Sequence, residues 1–407
     1  MKATIYPSLL SGSIRAIASK SQAHRLLICA ALAEGCTRIR CSTLSQDILA
    51  TAACLRALGA GITYTDGVFH VQPIREAPGR VRLDVSESGS TLRFLLPVVC
   101  ALGADTEIVM RGRLPERPLS PLWEELVRHG AVLSRPVPDT VRAAACTLSG
   151  GDYTLAANIS SQFISGLLFA LPLIAEPSRI RLTGTLESGS YLHMTVRALR
   201  TFGLDCPFSD MVFSFPGGQR FVSPGEAEVE GDWSNAAFWI CADRILGGTL
   251  SITGLDPDSP QGDRAADRTS LRIAAGSAVV DARDIPDLVP VLAVLASVSP
   301  GETRFINAAR LRIKESDRLA STAALLTALG GRVRELEDGL VVTGSGSLAG
   351  GEVDSANDHR IAMSAAVAAL ACRSPVILRG AEAVNKSYPS FWDDYARLGG
   401  HVILEDD

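Results

Sequence analysis

Lys20, Ser21 and Arg25 stand at the start of one apolar run, Lys314 and Arg318 at the start of a second, and His359 and Arg360 at the start of a third. Such groupings build anion sites. The free N–H groups and dipole of a helix N-terminus favour a negative group by only about 0.3–1 kcal/mol, so a phosphate is held firmly only when Lys or Arg adds its charge. Ser19-Lys20-Ser21-Gln22 has capping-box spacing ahead of AHRLLICAALAEG, which puts Lys20 and Ser21 in the first turn and Arg25 one turn further on. Ser88-Gly89-Ser90-Thr91-Leu92-Arg93 repeats the plan before an apolar helix ending near Gly103, and Gly89 lets a ligand approach the backbone. Ser160-Ser161-Gln162 precedes FISGLLFALPLI, while Ser188 and Tyr191 lie just ahead of a helix that stops at Gly203.

Arg113 lies in the Pro-rich segment GRLPERPLSP, expected to be a loop, where a guanidinium can grip a carboxylate or phosphate through two parallel hydrogen bonds. In RIKESDR, Lys314 and Arg318 are four residues apart and are expected to share a helix face, with Glu315 pointing aside. A plain surface salt-bridge network is the bland alternative there, as a cap or a solvated basic helix end is for the other motifs. Asp358-His359-Arg360 opens IAMSAAVAALAC, a run apolar enough to be buried, whose first donors then need partners. Asp287 in IPDLVPVLA and Lys386 in NKSYPSF complete the set.

The elements that must carry these motifs recur. LRALGAGITY, LVRHGAVLS, LRTFGLDCPF, LLTALGGRVRE and DYARLGGHVIL each end a helical pattern with Gly and pass into a β-rich run. Their glycines, at 59, 130, 203, 330 and 399, lie 71, 73, 127 and 69 residues apart, so one copy of a unit of about 70 residues is eroded where DRAADRTSLRIAAGSAVVDARD stands at 263–284. Six α/β modules, three to a domain, is the simplest account; chance is the alternative, since helix–Gly–strand is a common connection. The Pro- and Gly-rich stretch PGGQRFVSPGEAEVEG at 216–231 marks a domain break, placing 20–228 in an N-terminal domain and 229–407 in a C-terminal domain to which 1–19 is also assigned.

Composition narrows the partners. With 39 basic and 44 acidic residues and a net charge of −5, diffuse attraction to nucleic acid or anionic lipid is not expected, and the cations must act locally. Neither a secretory leader pattern nor an apolar run of membrane-spanning length is visible, and the nine cysteines are scattered and never spaced CxxC. A soluble, cytoplasmic, monomeric chain is expected. The six histidines show no paired ligand spacing, so no metal site is expected.

Taken in order, KSxxxR, SGSTxR, RxxxRP, SSQ, IPD, RIKESDR, NDHR and NKSYP closely resemble the enolpyruvyl transferase family over essentially the whole chain, in the branch that acts on shikimate 3-phosphate. The resemblance implies an α/β fold: a two-domain inverse α/β barrel of six βαβαββ-type repeats, three per domain, closing over the substrates. It implies that shikimate 3-phosphate meets Lys20, Ser21, Arg25, Ser160, Ser161, Gln162, Ser188, Tyr191, Asp287 and Lys314, and that phosphoenolpyruvate meets Lys20, Gly89, Arg113, Gln162, Arg318, Arg360 and Lys386. It further implies Asp287 as base, Glu315 as proton donor, Lys20 near the reacting centre, competition by glyphosate, and no metal or organic cofactor. Charge is consistent with this, since seven cations against Asp287 and Glu315 give +5, facing two substrates that bring roughly −5 to −6.

Departures are visible as well. Only 22 residues separate Asp263 of the QGD motif from Pro286, so a repeat is trimmed there; Arg310 stands where relatives place Asn, and Phe94 where some have Pro. Rival readings are UDP-N-acetylglucosamine enolpyruvyl transferase, disfavoured because the Arg113 loop has no Cys; RNA 3′-phosphate cyclase, disfavoured by the lack of a basic face; and a non-catalytic anion-binding relative.

Overall fold

The computed structural model describes residues 1–406, and the chain divides into two compact units: Ala18–Val229, and Met1–Ile17 together with the chain from Glu230 onward. Both are α/β with mixed sheets. In the first unit Arg80–Ser86, Asp105–Met110, Thr140–Ala144 and Val132–Val137 form one sheet in that order, the first pair parallel and the next two antiparallel. The same plan of one parallel and two antiparallel pairings recurs in four more four-stranded sheets, giving three in the first unit and two in the second.

Each of the five glycines singled out by the repeat ends a helix at positive φ, between +77° and +104°. Each also feeds the outermost hairpin strand of one four-stranded sheet: Gly61–Thr65, Val132–Val137, Phe208–Ser209, Arg332–Leu336 or His401–Glu405. Among the described residues the second unit also has a two-stranded parallel sheet, Gly12–Arg15 with Leu250–Thr253. Within 263–284 the helix Ala266–Ala274 is retained, but the next strand, Ala278–Asp281, already pairs with Glu302–Ile306 in the following sheet.

Burial explains the layering. Strands alternate, as in Arg80–Ser86 and Ser178–Thr183, so one sheet face is covered and the other meets water. Helices such as Gly89–Ala101, Ser161–Ala170, Val289–Val298 and His359–Ala369 are apolar nearly all round and almost wholly buried. Within each unit the helices thus form the core under the sheets. Polar residues cannot be spread along such helices, so they collect at the N-terminal ends. One close approach matters for function: a Cβ on Gly166 would lie 2.3 Å from the carbonyl oxygen of Arg93, so only Gly lets the helices Gly89–Ala101 and Ser161–Ala170 run this near each other. No helix among the described residues is long and apolar enough to cross a membrane, and all nine cysteines are free thiols.

Candidate functional site

In the Ala18–Val229 unit, Ser19 caps the helix Lys20–Leu32, its hydroxyl accepting from the Gln22 N–H. The Lys20 ammonium donates to Asp47 Oδ2 at 2.9 Å, with both side chains largely covered. Arg25 is buried and ties its own helix to the helix Gly189–Thr201 through three bonds: Nε to Thr195 Oγ1 at 2.9 Å, Nη1 to the Ser21 carbonyl at 2.6 Å and Nη2 to the Tyr191 carbonyl at 3.0 Å. It also lies 5.0 Å from the Phe94 ring centroid. Burial pulls the Arg25 pKa down to about 10, still charged at neutral pH. Ser188 caps the helix Gly189–Thr201 in a left-handed conformation, which places Tyr191 inside the first turn rather than ahead of it.

The close helix pair at Gly166 sets Gln162 against the start of the Gly89 helix. Its Nε2 donates to Ser90 Oγ at 2.9 Å and its Oε1 accepts from Arg93 Nη1 at 3.0 Å. Ser160 caps the helix Ser161–Ala170, which Ser161 opens. Two guanidiniums crowd Gly89, since an added Cβ would lie 2.6 Å from Arg93 Nη1 and 2.9 Å from Arg117 Nη1. Arg113 does not share this place. Its side chain is 47% exposed and pairs only loosely with Glu116, at 3.5 Å. Leu114–Glu116 is a short 3₁₀ turn, which turns Arg117 inward and leaves Arg113 at the outer end. The structure thus places Arg117, and not Arg113, beside Gly89.

In the other unit the corresponding cluster centres on Asp287, in the 3₁₀ turn Pro286–Leu288. Asp287 Oδ1 accepts from Arg318 Nη1 at 2.6 Å and lies 3.9 Å from Lys314 Nζ, while Oδ2 lies 3.3 Å from Arg360 Nη2. Arg360 Nη1 also donates to the Asp287 carbonyl at 3.0 Å. Burial pushes the Asp287 pKa up, but Arg360, Lys314 and Arg318 outweigh it and hold the carboxyl well below the usual range. Burial brings the Lys314 pKa down to about 8, against the pull of Asp287. The Asp263 carboxyl is driven up to about 7 by burial and then by the Asp287 charge.

Arg318 sits between three carboxylates: Nη1 on Asp287, Nη2 on Glu315 at 2.6 Å, and Nε on Asp358 Oδ2 at 2.7 Å. Asp358 is fully buried and also caps the helix His359–Ala369 by accepting from the Arg360 N–H at 2.9 Å. Two expectations need correction here. The helix begins at Arg318, with Lys314 before it in extended conformation, so the two cations meet Asp287 without sharing a helix face. Glu315 does not point aside but pairs with Arg318, because the unwound backbone between them lets both side chains face inward. Lys386 is buried and donates to the Asn357 carbonyl at 2.7 Å. Arg310 turns to the Arg283 carbonyl at 3.0 Å.

The contacts thus join Lys20 to Asp47, Arg25 to Ser21 and Tyr191, and Gln162 to Ser90 and Arg93 in one unit, and Asp287, Lys314, Glu315, Arg318, Asp358 and Arg360 in the other, while Arg113 stands apart. Arg93 was accessible in the sequence as the last residue of SGSTLR, one turn from Gly89. A family model described as EPSP synthase (3-phosphoshikimate 1-carboxyvinyltransferase) matches residues 6–395. The chain belongs to the EPSP synthase family. Among relatives of the family, the chain is 39% identical to the 3-phosphoshikimate 1-carboxyvinyltransferase of Clostridium perfringens, covering 98% of both chains. It is 40% identical to the protein of that name from Clostridium acetobutylicum, covering 98% and 97%. In fold it is similar to an EPSP synthase structure from Acinetobacter baumannii, with a TM-score of 0.80 at 24% identity, covering 100% of both chains. The enolpyruvyl transferase NikO from Streptomyces tendae gives 0.79 at 20% identity, covering 99% and 98%.

Proposed function

We propose that this chain transfers the enolpyruvyl group of phosphoenolpyruvate to the 5-hydroxyl of shikimate 3-phosphate, releasing phosphate and giving 5-enolpyruvylshikimate 3-phosphate on the route to chorismate and aromatic amino acids. The observation that carries this is the Asp287 cluster: a buried carboxylate ringed by Lys314, Arg318 and Arg360. One base among three cations suits a reaction that removes a hydroxyl proton beside an accumulating negative charge. We place the activity in the cytoplasm and on a monomer. The finer reading of the fold, an inverse α/β barrel of six repeats, three to a domain, is supported by the five matching sheets and by the short parallel pair of Gly12–Arg15 with Leu250–Thr253.

Shikimate 3-phosphate is assigned to Ser21, Arg25, Ser160, Ser161, Gln162, Ser188, Tyr191, Asp287 and Lys314, with Lys20 shared. Phosphoenolpyruvate is assigned to Lys20, Gly89, Gln162, Arg318, Arg360 and Lys386, with Arg117 in place of Arg113 and Arg93 beside it. The 5-hydroxyl adds to C2 of phosphoenolpyruvate as Asp287 takes its proton and Glu315 delivers one to C3. The tetrahedral adduct then returns a C3 proton to the Glu315 carboxylate as the C2–O bond breaks, and the proton taken by Asp287 leaves with the phosphate. Asp287, among Lys314, Arg318 and Arg360, is too well compensated to be a strong base, and Glu315 is engaged by Arg318. Phosphoenolpyruvate, as a competing anion for Arg318 and Arg360, lessens the first and releases the second, so the chemistry waits for the substrate. The cations then stabilise charge on the adduct and on the departing phosphate.

Phosphate release tests the proposal. It is expected only when both substrates are present, and UDP-N-acetylglucosamine should not replace shikimate 3-phosphate; release without any acceptor would contradict it. Two finer outcomes follow from the geometry. Gly89→Ala puts a methyl where Arg93 and Arg117 stand, so the KM for phosphoenolpyruvate should rise by about tenfold or more, on the scale of a lost or displaced charged hydrogen bond, with that for shikimate 3-phosphate changed less. Because the Lys314 pKa is lowered to about 8, its charge disappears at lower pH than that of an ordinary lysine. The kcat/KM for shikimate 3-phosphate should therefore fall as pH rises through about 8, and Lys314→Arg should move the fall upward; a flat profile in wild type would refute the contact.

A further inference from the structure

One polar chain in the Ala18–Val229 unit touches no assigned ligand group yet joins two of them. His24 Nδ1 lies 2.7 Å from Thr51 Oγ1, Thr51 Oγ1 lies 2.6 Å from Thr91 Oγ1, and the Thr91 hydroxyl donates to Ser88 Oγ at 2.8 Å. All four side chains are fully buried, and they belong to three helices: Lys20–Leu32, Gln46–Ala57, and Gly89–Ala101 with its cap Ser88. Buried polar groups in an apolar helix core are costly unless mutually satisfied, so a chain of this kind fixes the helices it spans.

Counting protons fixes its direction. Thr91 spends its one hydroxyl proton on Ser88, so the contact with Thr51 must be a bond donated by Thr51. Thr51 then has no proton left, and the bond at 2.7 Å must be donated by His24 Nδ1–H. Nε2 carries the lone pair and has no hydrogen-bond partner. Burial, then the charges of Lys20 and Arg25, hold the His24 pKa well below its ordinary value, which leaves the ring neutral with its single proton on Nδ1.

The middle helix has a second hold on the same region. Asp47, one turn before Thr51, accepts from the Lys20 ammonium at 2.9 Å. One face of Gln46–Ala57 therefore grips Lys20 directly through Asp47 and the Gly89 helix start through Thr51, Thr91 and Ser88. We propose that Thr51 is a positioning residue that sets Gly89 relative to Lys20 through the one-way chain His24 to Thr51 to Thr91 to Ser88, and so tunes recognition of phosphoenolpyruvate. The assignment of Gly89 and Lys20 to that substrate rests on the function proposed above. Arg25, held by Thr195 and the carbonyls of Ser21 and Tyr191, is outside the chain.

Two measurements test it. Long-range proton–nitrogen NMR of wild-type protein labelled with 15N-histidine, with the His24 signals identified by their loss in His24→Gln, should show the Nδ1–H tautomer; the Nε2–H tautomer would overturn the chain's direction whether or not the protein is active. Thr51→Val, which keeps the shape and removes both bonds, should raise the KM for phosphoenolpyruvate about five- to tenfold while that for shikimate 3-phosphate stays within about twofold, and Thr51→Ser should restore it. An unchanged KM for phosphoenolpyruvate in folded Thr51→Val, or equal rises for both substrates, would overturn the positioning role. If Thr51→Val fails to fold, Thr91→Val breaks the next link and is read in the same way. Lack of wild-type turnover would instead reject the substrate assignment, leaving the tautomer to report on the chain.

Discussion

Asp287→Asn is expected to lower kcat by about 10²–10⁴-fold, the usual contribution of a positioned general base, while KM values move far less. The amide keeps the size of the side chain and can still accept from Arg318, but it cannot take the hydroxyl proton. Stability should respond to acid in a defined direction. The Asp287 pKa is depressed in the folded protein, so its pairing contributes stability that is fully present above the pKa of an unfolded aspartate, about 4, and is lost as pH falls through the folded value. Wild type should accordingly lose more stability than the Asn variant as pH is lowered below about 4, measured by calorimetry. A folded Asn variant with near-normal kcat would remove Asp287 from the chemistry.

Arg318→Met should have the largest combined effect on stability and activity. The guanidinium contacts Asp287 and Glu315 at 2.6 Å and Asp358 at 2.7 Å, and Asp358 has no solvent exposure. Removing the cation leaves a buried carboxylate without its counter-charge, which costs ~3–5 kcal/mol. Arg318→Lys keeps the charge but cannot reach three carboxylates from one ammonium, so denaturant unfolding should show part of the stability restored. The kcat/KM for phosphoenolpyruvate should stay reduced by ~10²-fold or more in both variants, since Lys lacks the planar fork that serves two groups at once. Normal stability of Arg318→Met would mean that Asp358 finds another partner.

The periodic parts of this molecule were legible from the order of residues. Gly59, Gly130, Gly203, Gly330 and Gly399 each stop a helix because positive φ is cheap for Gly, and the β-branched run after each becomes a strand by local preference. In 263–284, where the phrase does not recur, the helix Ala266–Ala274 leads to a strand that pairs with Glu302–Ile306. Capping signals were equally local, so Ser19, Ser88, Ser160 and Asp358 stand where hydroxyls and carboxylates cap helices.

What the sequence did not reveal depends on tertiary contact. Arg113 and Arg117 are alike in type and four residues apart, and only the 3₁₀ turn between them decides which faces Gly89. RIKESDR looks helical by charge spacing, yet after the 3₁₀ turn Ala309–Ile313 the chain is unwound until Asp317 caps the helix, and this brings Glu315 onto Arg318. Asp47 and Thr51 look like ordinary polar positions on an amphipathic helix. Their partners Lys20, His24 and Thr91 come from other helices, so no local pattern announces them.

Enolpyruvyl transfer makes one demand that no phosphatase or anion-binding protein shares: phosphate must leave by scission of the carbon–oxygen bond. Phosphoenolpyruvate labelled with 18O in its C–O–P bridge, turned over in the presence of shikimate 3-phosphate, tests this directly by mass spectrometry of the products. The account predicts that the label departs with inorganic phosphate; label retained in the three-carbon fragment would mean phosphorus–oxygen cleavage and would contradict it.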